Sequence, residues 1–313
     1  QLDVDTLIMH TELHHRYKDT AEGKQAQEII NACVHCGFCL ATCPTYLDSR
    51  DERDSPRGRI YLIKELLETG SATQQTHTHL DRCLTCRSCE TTCPSGVSYG
   101  RLADIGRGLM EEAVARPATE RMLRYAIRKV LSSPPLFAFS LRCGQIFRPI
   151  LPARLQAKIR PRSTKLAAPV SLIHPRTMLI LAGCAQKSAT PETQSAATAV
   201  LDRLGITLNS IAAAGCCGAV NYHLSAHEDG LDDMRRNIDA WWPSIETGAE
   251  AIVSSASGCG AMLVDYGSLL AHDPNYASKA QRVSELTADI AEILLGEDLS
   301  SLEINTRVGK VAI

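Results

Sequence analysis

Aromatic side chains are scarce, 4% of 313 residues with four Phe and two Trp, so a buried core has to be assembled from Leu, Ile, Val and Ala. No run approaches the ~20 apolar residues that a membrane-spanning helix needs. There is no excess of positive charge either: 33 Lys and Arg against 35 Asp and Glu give a formal net charge of −2. That balance argues against general nucleic-acid binding, whose footprint is strongly basic. No G-x-G-x-x-G follows a strand pattern, and neither a P-loop nor a serine-nucleophile elbow occurs. No site for nicotinamide, flavin or nucleotide is therefore legible. The stretch QLDVDTLIMHTELHHRYKD lacks a basic start, an apolar h-region and a twin arginine. The expectation is a cytoplasmic protein that can still sit on a membrane surface.

Cysteine, by contrast, is abundant, with 13 residues. Eight of them form two groups of four, Cys33-Val-His-Cys36-Gly-Phe-Cys39-Leu-Ala-Thr-Cys43-Pro44 and Cys83-Leu-Thr-Cys86-Arg-Ser-Cys89-Glu-Thr-Thr-Cys93-Pro94. Cysteines so close along one turn cannot bridge one another without strain, and free thiols persist in a reducing compartment. The pattern therefore reads as metal ligands. Zinc would ask for two Cys-x-x-Cys pairs closing one tetrahedron across a longer loop. The spacing here is that of two-cluster ferredoxins, in which the fourth cysteine of each run ligates the other cluster. One [4Fe–4S] cluster is then expected on Cys33, Cys36, Cys39 and Cys93, and a second on Cys83, Cys86, Cys89 and Cys43. A chain that carries electrons without a substrate site needs a partner that oxidises something.

Along the chain, residues 1–30 read as polar helix, and Ser55-Pro56 opens a helix that Gly70 stops. RLADIGRGLMEEAV is a further helix after the second run. From Arg116 to Lys165 there are twelve Lys and Arg against one acid, Glu120, a local balance of +11 that leaves −13 for the remainder. This basic stretch reads as one or two helices and a linker. It suits packing against partner subunits, with an anionic membrane surface as the other reading. From Thr177 onward strands and helices alternate, the pattern of a parallel α/β sheet. MLILAG, ITLNSIA and AIVSSASGC read as strands, ETQSAATAVLDRLG and LDDMRRNIDAWWPSI as helices. QRVSELTADIAEILLGE reads as a last helix and RVGKVAI as the start of another strand. The fold class expected is multidomain α and α/β. An α-helical two-cluster domain covers 1–115, a basic helical linker 116–175, and an α/β cysteine-rich domain 176–313.

Cys184, Cys216, Cys217 and Cys259 all fall where this alternation puts the carboxyl ends of parallel strands, the usual place for sites in such sheets. They could ligate a metal, or Cys216 and Cys217 could act as a redox pair. Buried cysteines also serve as small apolar residues. Cys143 stands alone, and His35 is read as a packing or surface residue.

The stretches CVHCGFCLATCPTY, DSPRGRIYLIKELLE, HLDRCLTCRSCETTCPSGV, AGCCGAVNYHL, NIDAWWPSIETGAEAI and ASGCGAM resemble the iron–sulfur subunits of bacterial glycolate oxidases. The wider family includes subunits of heterodisulfide reductases and of lactate-utilisation and anaerobic glycerol-3-phosphate dehydrogenase systems. The resemblance implies two [4Fe–4S] clusters and FAD-containing partner subunits that oxidise glycolate to glyoxylate. It further implies a path for electrons to a membrane acceptor such as quinone, on the inner face of the cytoplasmic membrane. A lactate or glycerol-3-phosphate system would use the same relay, and an assembly role between flavin subunits is a different alternative. The resemblance also makes Cys184, Cys216, Cys217 and Cys259 the cysteines of the first CCG half, and hence a candidate third iron–sulfur site. Heterodisulfide reductases have a further cysteine where this chain has Met262. The family's second CCG half is missing from the sequence read to Ile313, so the domain is expected to be incomplete.

Overall fold

A computed structural model describes residues 9–161 and 173–302. Two compact units result, one running to Leu123 and including His223–Ser225, the other comprising Arg124–Tyr222 and the chain from Ala226 on.

The first unit is helical: α1 (Ala21–Asn31), α2 (Phe38–Ala41), α3 (Pro44–Ser49), α4 (Pro56–Thr69), α5 (Gln74–Asp81), α6 (Ser88–Thr91) and α7 (Tyr99–Ala113). The start of α4 follows from its sequence. Ser55 Oγ accepts the Gly58 N–H at 3.0 Å, Pro56 occupies the first turn, and Gly70 ends the helix at φ +69°. Such a cap satisfies backbone groups that the helix leaves open. The stripe Ile60, Ile63, Leu66 and Leu67 is buried against Leu102, Ile105 and Met110 of α7 and Ala26 and Ile30 of α1. Cys33 and Cys89 belong to the same core, so the apolar packing that folds the unit also anchors both cysteine loops.

Within 9–30 the sequence led us to expect helix throughout, but α1 begins only at Ala21. The preceding segment is pinned in loop form: His14 N–H bonds Leu67 O at 2.8 Å, Gln27 Nε2 donates to Thr11 O at 2.6 Å, and Met9 and Tyr17 are buried in the core. These contacts to α1 and the end of α4 outweigh local helix propensity.

The basic stretch forms α8 (Ala118–Ser132), α9 (Pro134–Phe147) and α10 (Ala153–Gln156). Ser133-Pro134-Pro135 separates the first two, since proline neither donates to nor fits inside the preceding helix.

The second unit is built on a four-stranded parallel sheet in the order β2-β1-β3-β4: β1 (Arg176–Ile180), β2 (Ile206–Asn209), β3 (Ile252–Ser254) and β4 (Thr287–Asp289). Arg176 pairs with Ile206, Leu179 with Ile252, and Ile252 with Thr287. The connecting helices are α11 (Gln186–Ala189), α12 (Pro191–Arg203), α13 (Ala219–His223), α14 (His227–Glu246), α15 (Ser257–Leu269) and α16 (Ala277–Leu286), with α17 (Ile290–Leu295) after β4. The two-residue period of a strand sends its side chains to opposite faces. Leu179, Leu181 and Ile252 thus join Met234, Ile238, Trp241, Leu263 and Tyr266 in one core. Met178, Ile180 and Val253 join Ala197, Leu201 and Ile206 in the other.

The segment QRVSELTADIAEILLGE is not one helix. α16 stops at Leu286, and Thr287–Asp289 pair with β3 before α17 begins. Asp289 caps α17 in a reciprocal box with Glu292, a helix start that the surrounding apolar periodicity hid. The segment RVGKVAI lies outside the described residues.

Candidate metal centres

The two cysteine runs have the same backbone form. In the first, His35 and Gly37 have φ +53° and +82°; in the second, Thr85 and Arg87 have φ +54° and +57°. Left-handed residues of this kind cost non-glycine side chains energy and recur at functional loops. They turn successive N–H groups inward, a concavity suited to a negatively charged group. Glycine meets the requirement at position 37 without strain, while three larger residues adopt it at 35, 85 and 87. The N–H of Thr85 points at Cys83 Sγ at 3.4 Å, and that of His35 bonds Cys33 Sγ in the same way. Each loop then enters a one-turn helix, α2 or α6.

Two recesses lie beside these loops. The first, about 430 Å³, is lined by Cys33, Cys36, Cys39 and Cys93, together with Cys89, Ile60, Val97 and Arg57. The second, about 380 Å³, is lined by Cys83, Cys86 and Cys89 with Cys43, and by Thr45, Arg59 and Arg87. Pro56, Cys89 and Tyr99 line both, so the recesses are immediate neighbours with one shared wall. Burial pushes the Cys39 thiol up to about 11 and that of Cys89 up to about 12. Binding a metal as thiolate therefore releases protons at these positions.

A buried polar network stands behind the second recess. Asp54 accepts from His79 Nδ1 at 2.9 Å and from Arg82 at 2.8 Å. Buried Arg59 donates to His79 O at 2.7 Å and to Thr45 Oγ1 at 3.1 Å. Thr45 Oγ1 lies 3.2 Å from Cys43 Sγ. Arg107 of α7, also buried, donates to Leu80 O, Cys83 O and Thr85 Oγ1, fixing the loop that presents Cys83. None of Thr45, Asp54, Arg59, His79 or Arg107 was singled out from sequence. Their signal is the ionisable residue buried on an otherwise apolar helix face, as Arg59 is beside Ile60 and Ile63.

The second unit gathers the remaining candidates at the carboxyl ends of β1, β2 and β3. Cys216 is in hydrogen-bonding contact with Cys184 and Cys217, and Cys217 with Cys259. Cys184, Cys216 and Cys217 are buried. The hydrogen bonds that Cys216 accepts from its two neighbours lower its pKa and raise theirs. Helices α14 and α15 hold the turn. Asn237 Nδ2 donates to Cys216 O at 2.7 Å, its Oδ1 accepts Gly215 N–H at 2.8 Å, and Tyr266 Oη donates to Cys217 O at 2.9 Å. Gly218 follows at φ +89°, where a Cβ would sit 2.7 Å from Gly230 O. Cys143 lies on α9.

The donor sets fit iron–sulfur clusters and not single ions. Four thiolates around zinc stand about 3.8 Å apart, as a tetrahedron with ~2.3 Å bonds requires. Among the described residues the only group of three or more potential ligand atoms closed to within 4.8 Å of one another is Asp51, Asp54 and His79, and no cysteine group is that tight. That acidic group is not a cation site, because Arg53 engages Asp51 and Arg82 engages Asp54. Both ring nitrogens of His35 are buried without a hydrogen-bond partner at the wall of the first recess. Its ring stacks on Tyr61 at 4.5 Å, and burial lowers its pKa, keeping the imidazole neutral.

Comparison with known proteins agrees with this chemistry. The model of a 4Fe–4S dicluster domain matches residues 29–97, and that of a cysteine-rich domain residues 178–264. The glycolate oxidase iron-sulfur subunit of Escherichia coli (strain K12) is 52% identical over 296 residues, covering 95% of this chain and 73% of that protein. The chain belongs to the glycolate oxidase iron–sulfur subunit family. A second member, the probable glycolate oxidase iron-sulfur subunit of Bacillus subtilis (strain 168), is 28% identical over 308 residues, 88% of this chain and 68% of that one. Lactate utilization protein A of Bacillus pumilus (strain SAFR-032) is 27% identical over 112 residues, 36% of this chain and 45% of its own length. No solved structure matches. The chain is thus an iron–sulfur protein of an oxidoreductase family, with a dicluster domain in its first unit and a cysteine-rich domain in its second.

Proposed function

We propose that this chain is the electron-transfer subunit of a glycolate oxidase complex, receiving electrons from an FAD-bearing partner that oxidises glycolate to glyoxylate. The electrons leave toward a membrane acceptor such as quinone, with the complex held on the inner face of the cytoplasmic membrane. The observation that carries the relay is the make-up of the two recesses: each is lined by three cysteines of one run and the last cysteine of the other, with Cys89 in the wall they share. On this reading Cys33, Cys36, Cys39 and Cys93 hold one [4Fe–4S] cluster, and Cys83, Cys86, Cys89 and Cys43 hold the second. When bound, such clusters take up and release single electrons at potentials set by charge, hydrogen bonds to sulfur and solvent exposure.

The chain's own residues supply those settings. Ile60, Val97 and Tyr99 keep water from the recess walls, and the N–H groups of His35 and Thr85 stabilise negative charge on sulfur. Buried Arg59 and Arg107, beside the carboxylates of Asp54 and Asp104, place their guanidinium groups near the second recess, and Arg57 at the first is paired with Glu52. Cys184, Cys216, Cys217 and Cys259 are assigned to a third iron–sulfur centre in the cysteine-rich domain. Its support is the chain of contacts from Cys184 to Cys216, Cys216 to Cys217 and Cys217 to Cys259.

Substituting Cys36 or Cys86 by Ser tests the relay in the purified complex. A relay predicts a complex that assembles but no longer passes electrons from glycolate to an added quinone. Undiminished turnover would leave only a tethering role between flavin subunits. The partial likeness to lactate utilization protein A names the competing substrate, and lactate belongs beside glycolate in the same assay.

A further inference from the structure

The chain has no Asp or Glu between Glu120 and Glu192, and the outer face of α9 lies inside that acid-free stretch. Leu136, Phe139, Cys143, Ile146, Phe147 and Ile150 follow one another at helical three- and four-residue spacing, forming one stripe. The stripe faces solvent: Phe139 is 67% exposed, Ile146 73% and Ile150 79%. The opposite side of α9 is the packed one. Phe137 and Leu141 are half-buried there, and a Cβ on Gly144 would meet Ile159 at 3.4 Å. The helix has thus spent one face on its own unit and turned a second apolar face outward.

Unpaired cations lie on the same helical elements. Arg142, Arg154 and Lys158 are exposed and make no ion pair among the described residues. Beside the stripe an open cleft is lined by Arg142, Arg148 and Lys187 with Leu141, Ile146 and Pro149, and no acid borders it. A protein partner ordinarily meets a rim of mixed charge. Here the acid nearest the cleft, Glu192, is paired with Arg160, so the unpaired charge on these elements is positive and complements an anionic surface. Apolar insertion combined with basic residues is the pairing of signals that gives stable attachment to anionic bilayers.

We propose that α9, the turn Arg148–Ile150 and α10 form an interfacial anchor that lies in the surface of an anionic bilayer. Phe139, Ile146, Phe147 and Ile150 enter the acyl boundary, and Arg142, Arg154 and Lys158 engage lipid phosphates. The inference rests on the membrane location proposed above and assigns it to a particular element.

Flotation of the anaerobically purified complex with vesicles tests it. Wild type is expected to float with phosphatidylcholine vesicles containing about a quarter phosphatidylglycerol, a binding that added salt weakens. Phe139→Ser combined with Ile146→Ser should lower that partition at least about tenfold, with cluster absorbance and circular dichroism unchanged. Arg142→Gln and Lys158→Gln should each lower it about fivefold and leave the weak binding to pure phosphatidylcholine as it was. If wild type floats and all three variants float equally, the anchor assignment is wrong while the membrane location stands. Wild type that does not float overturns both. Variants that float normally but lose the flavin subunit would make the stripe a subunit interface and refute the anchor.

Discussion

Replacing Arg107 by Leu should remove the second cluster and spare the first. The guanidinium is buried and donates to Leu80 O at 3.1 Å, Cys83 O at 2.7 Å and Thr85 Oγ1 at 3.0 Å. Leucine leaves Cys83 O without its donor and Asp104 without its ion pair, while Leu80 O keeps the Cys83 N–H at 3.2 Å. At about 1–3 kcal/mol for the unsatisfied carbonyl, with the loss of the buried ion pair in addition, the cost is a sizeable part of a typical domain stability of ~5–15 kcal/mol. It falls on one loop, because all three acceptors lie between Leu80 and Thr85. The loop also holds Thr85 at φ +54°, a conformation that needs outside support. Iron per chain, measured after anaerobic reconstitution, should drop by about half in the first unit's share, and the EPR signal of the reduced protein should lose the component that Cys86→Ser also removes. Arg107→Lys keeps the charge with fewer bonds and should fall between. Unchanged iron and spectrum, or equal loss of both clusters, would refute this account of how the loop is held.

Burial raises the pKa of Asp54, but the hydrogen bonds and charges of His79 and Arg82 more than reverse the effect and hold it below the ordinary carboxylate value. Its stabilising contribution is therefore complete above the unfolded value near ~4 and is lost as pH falls through the lower folded value. Asp54→Asn should cost about 3–5 kcal/mol at neutral pH and flatten the acid limb of stability, read from urea unfolding of the full chain at several pH values. Arg59→Gln should lower the reduction potential of the second cluster relative to the first in an EPR-monitored redox titration; an unmoved potential would argue that Asp54 already cancels the guanidinium. Gly218→Ala places a Cβ against Gly230 O at a backbone angle that disfavours side chains, and should abolish iron binding in the cysteine-rich domain while the dicluster signals persist.

Much of this was legible in the sequence, and the limits have physical reasons. The apolar run MLILAG and the run ITLNSIA before GCCG marked β1 and β2, and the Ser55–Gly70 punctuation bounded α4, because these signals are local. The short strand β4 was not visible: three residues, Thr287–Asp289, become a strand only by pairing with β3. Likewise, residues 9–20 are held as a loop by contacts to α1 and α4 that no local pattern displays. The side chains that frame the sites were the least legible. Arg59 reaches His79, Arg107 reaches Cys83, and Asn237 reaches Cys216 across 20 to 24 positions of chain. Spacing motifs name ligands, but the groups that aim and tune them come from distant helices. The left-handed angles at His35, Thr85 and Arg87 were hidden as well, since only Gly37 has the residue type that advertises them.

Glycolate-driven reduction is the most direct test of the central claim. The complex would be purified anaerobically with its native partners, mixed with glycolate, frozen and examined by EPR. Because the two recesses share a wall, the account predicts two reduced [4Fe–4S] signals that interact magnetically, and predicts them with glycolate but not with lactate or glycerol 3-phosphate. Clusters that stay oxidised with glycolate yet reduce with lactate would contradict the substrate assignment. Clusters that no substrate reduces, although dithionite does, would contradict the relay itself.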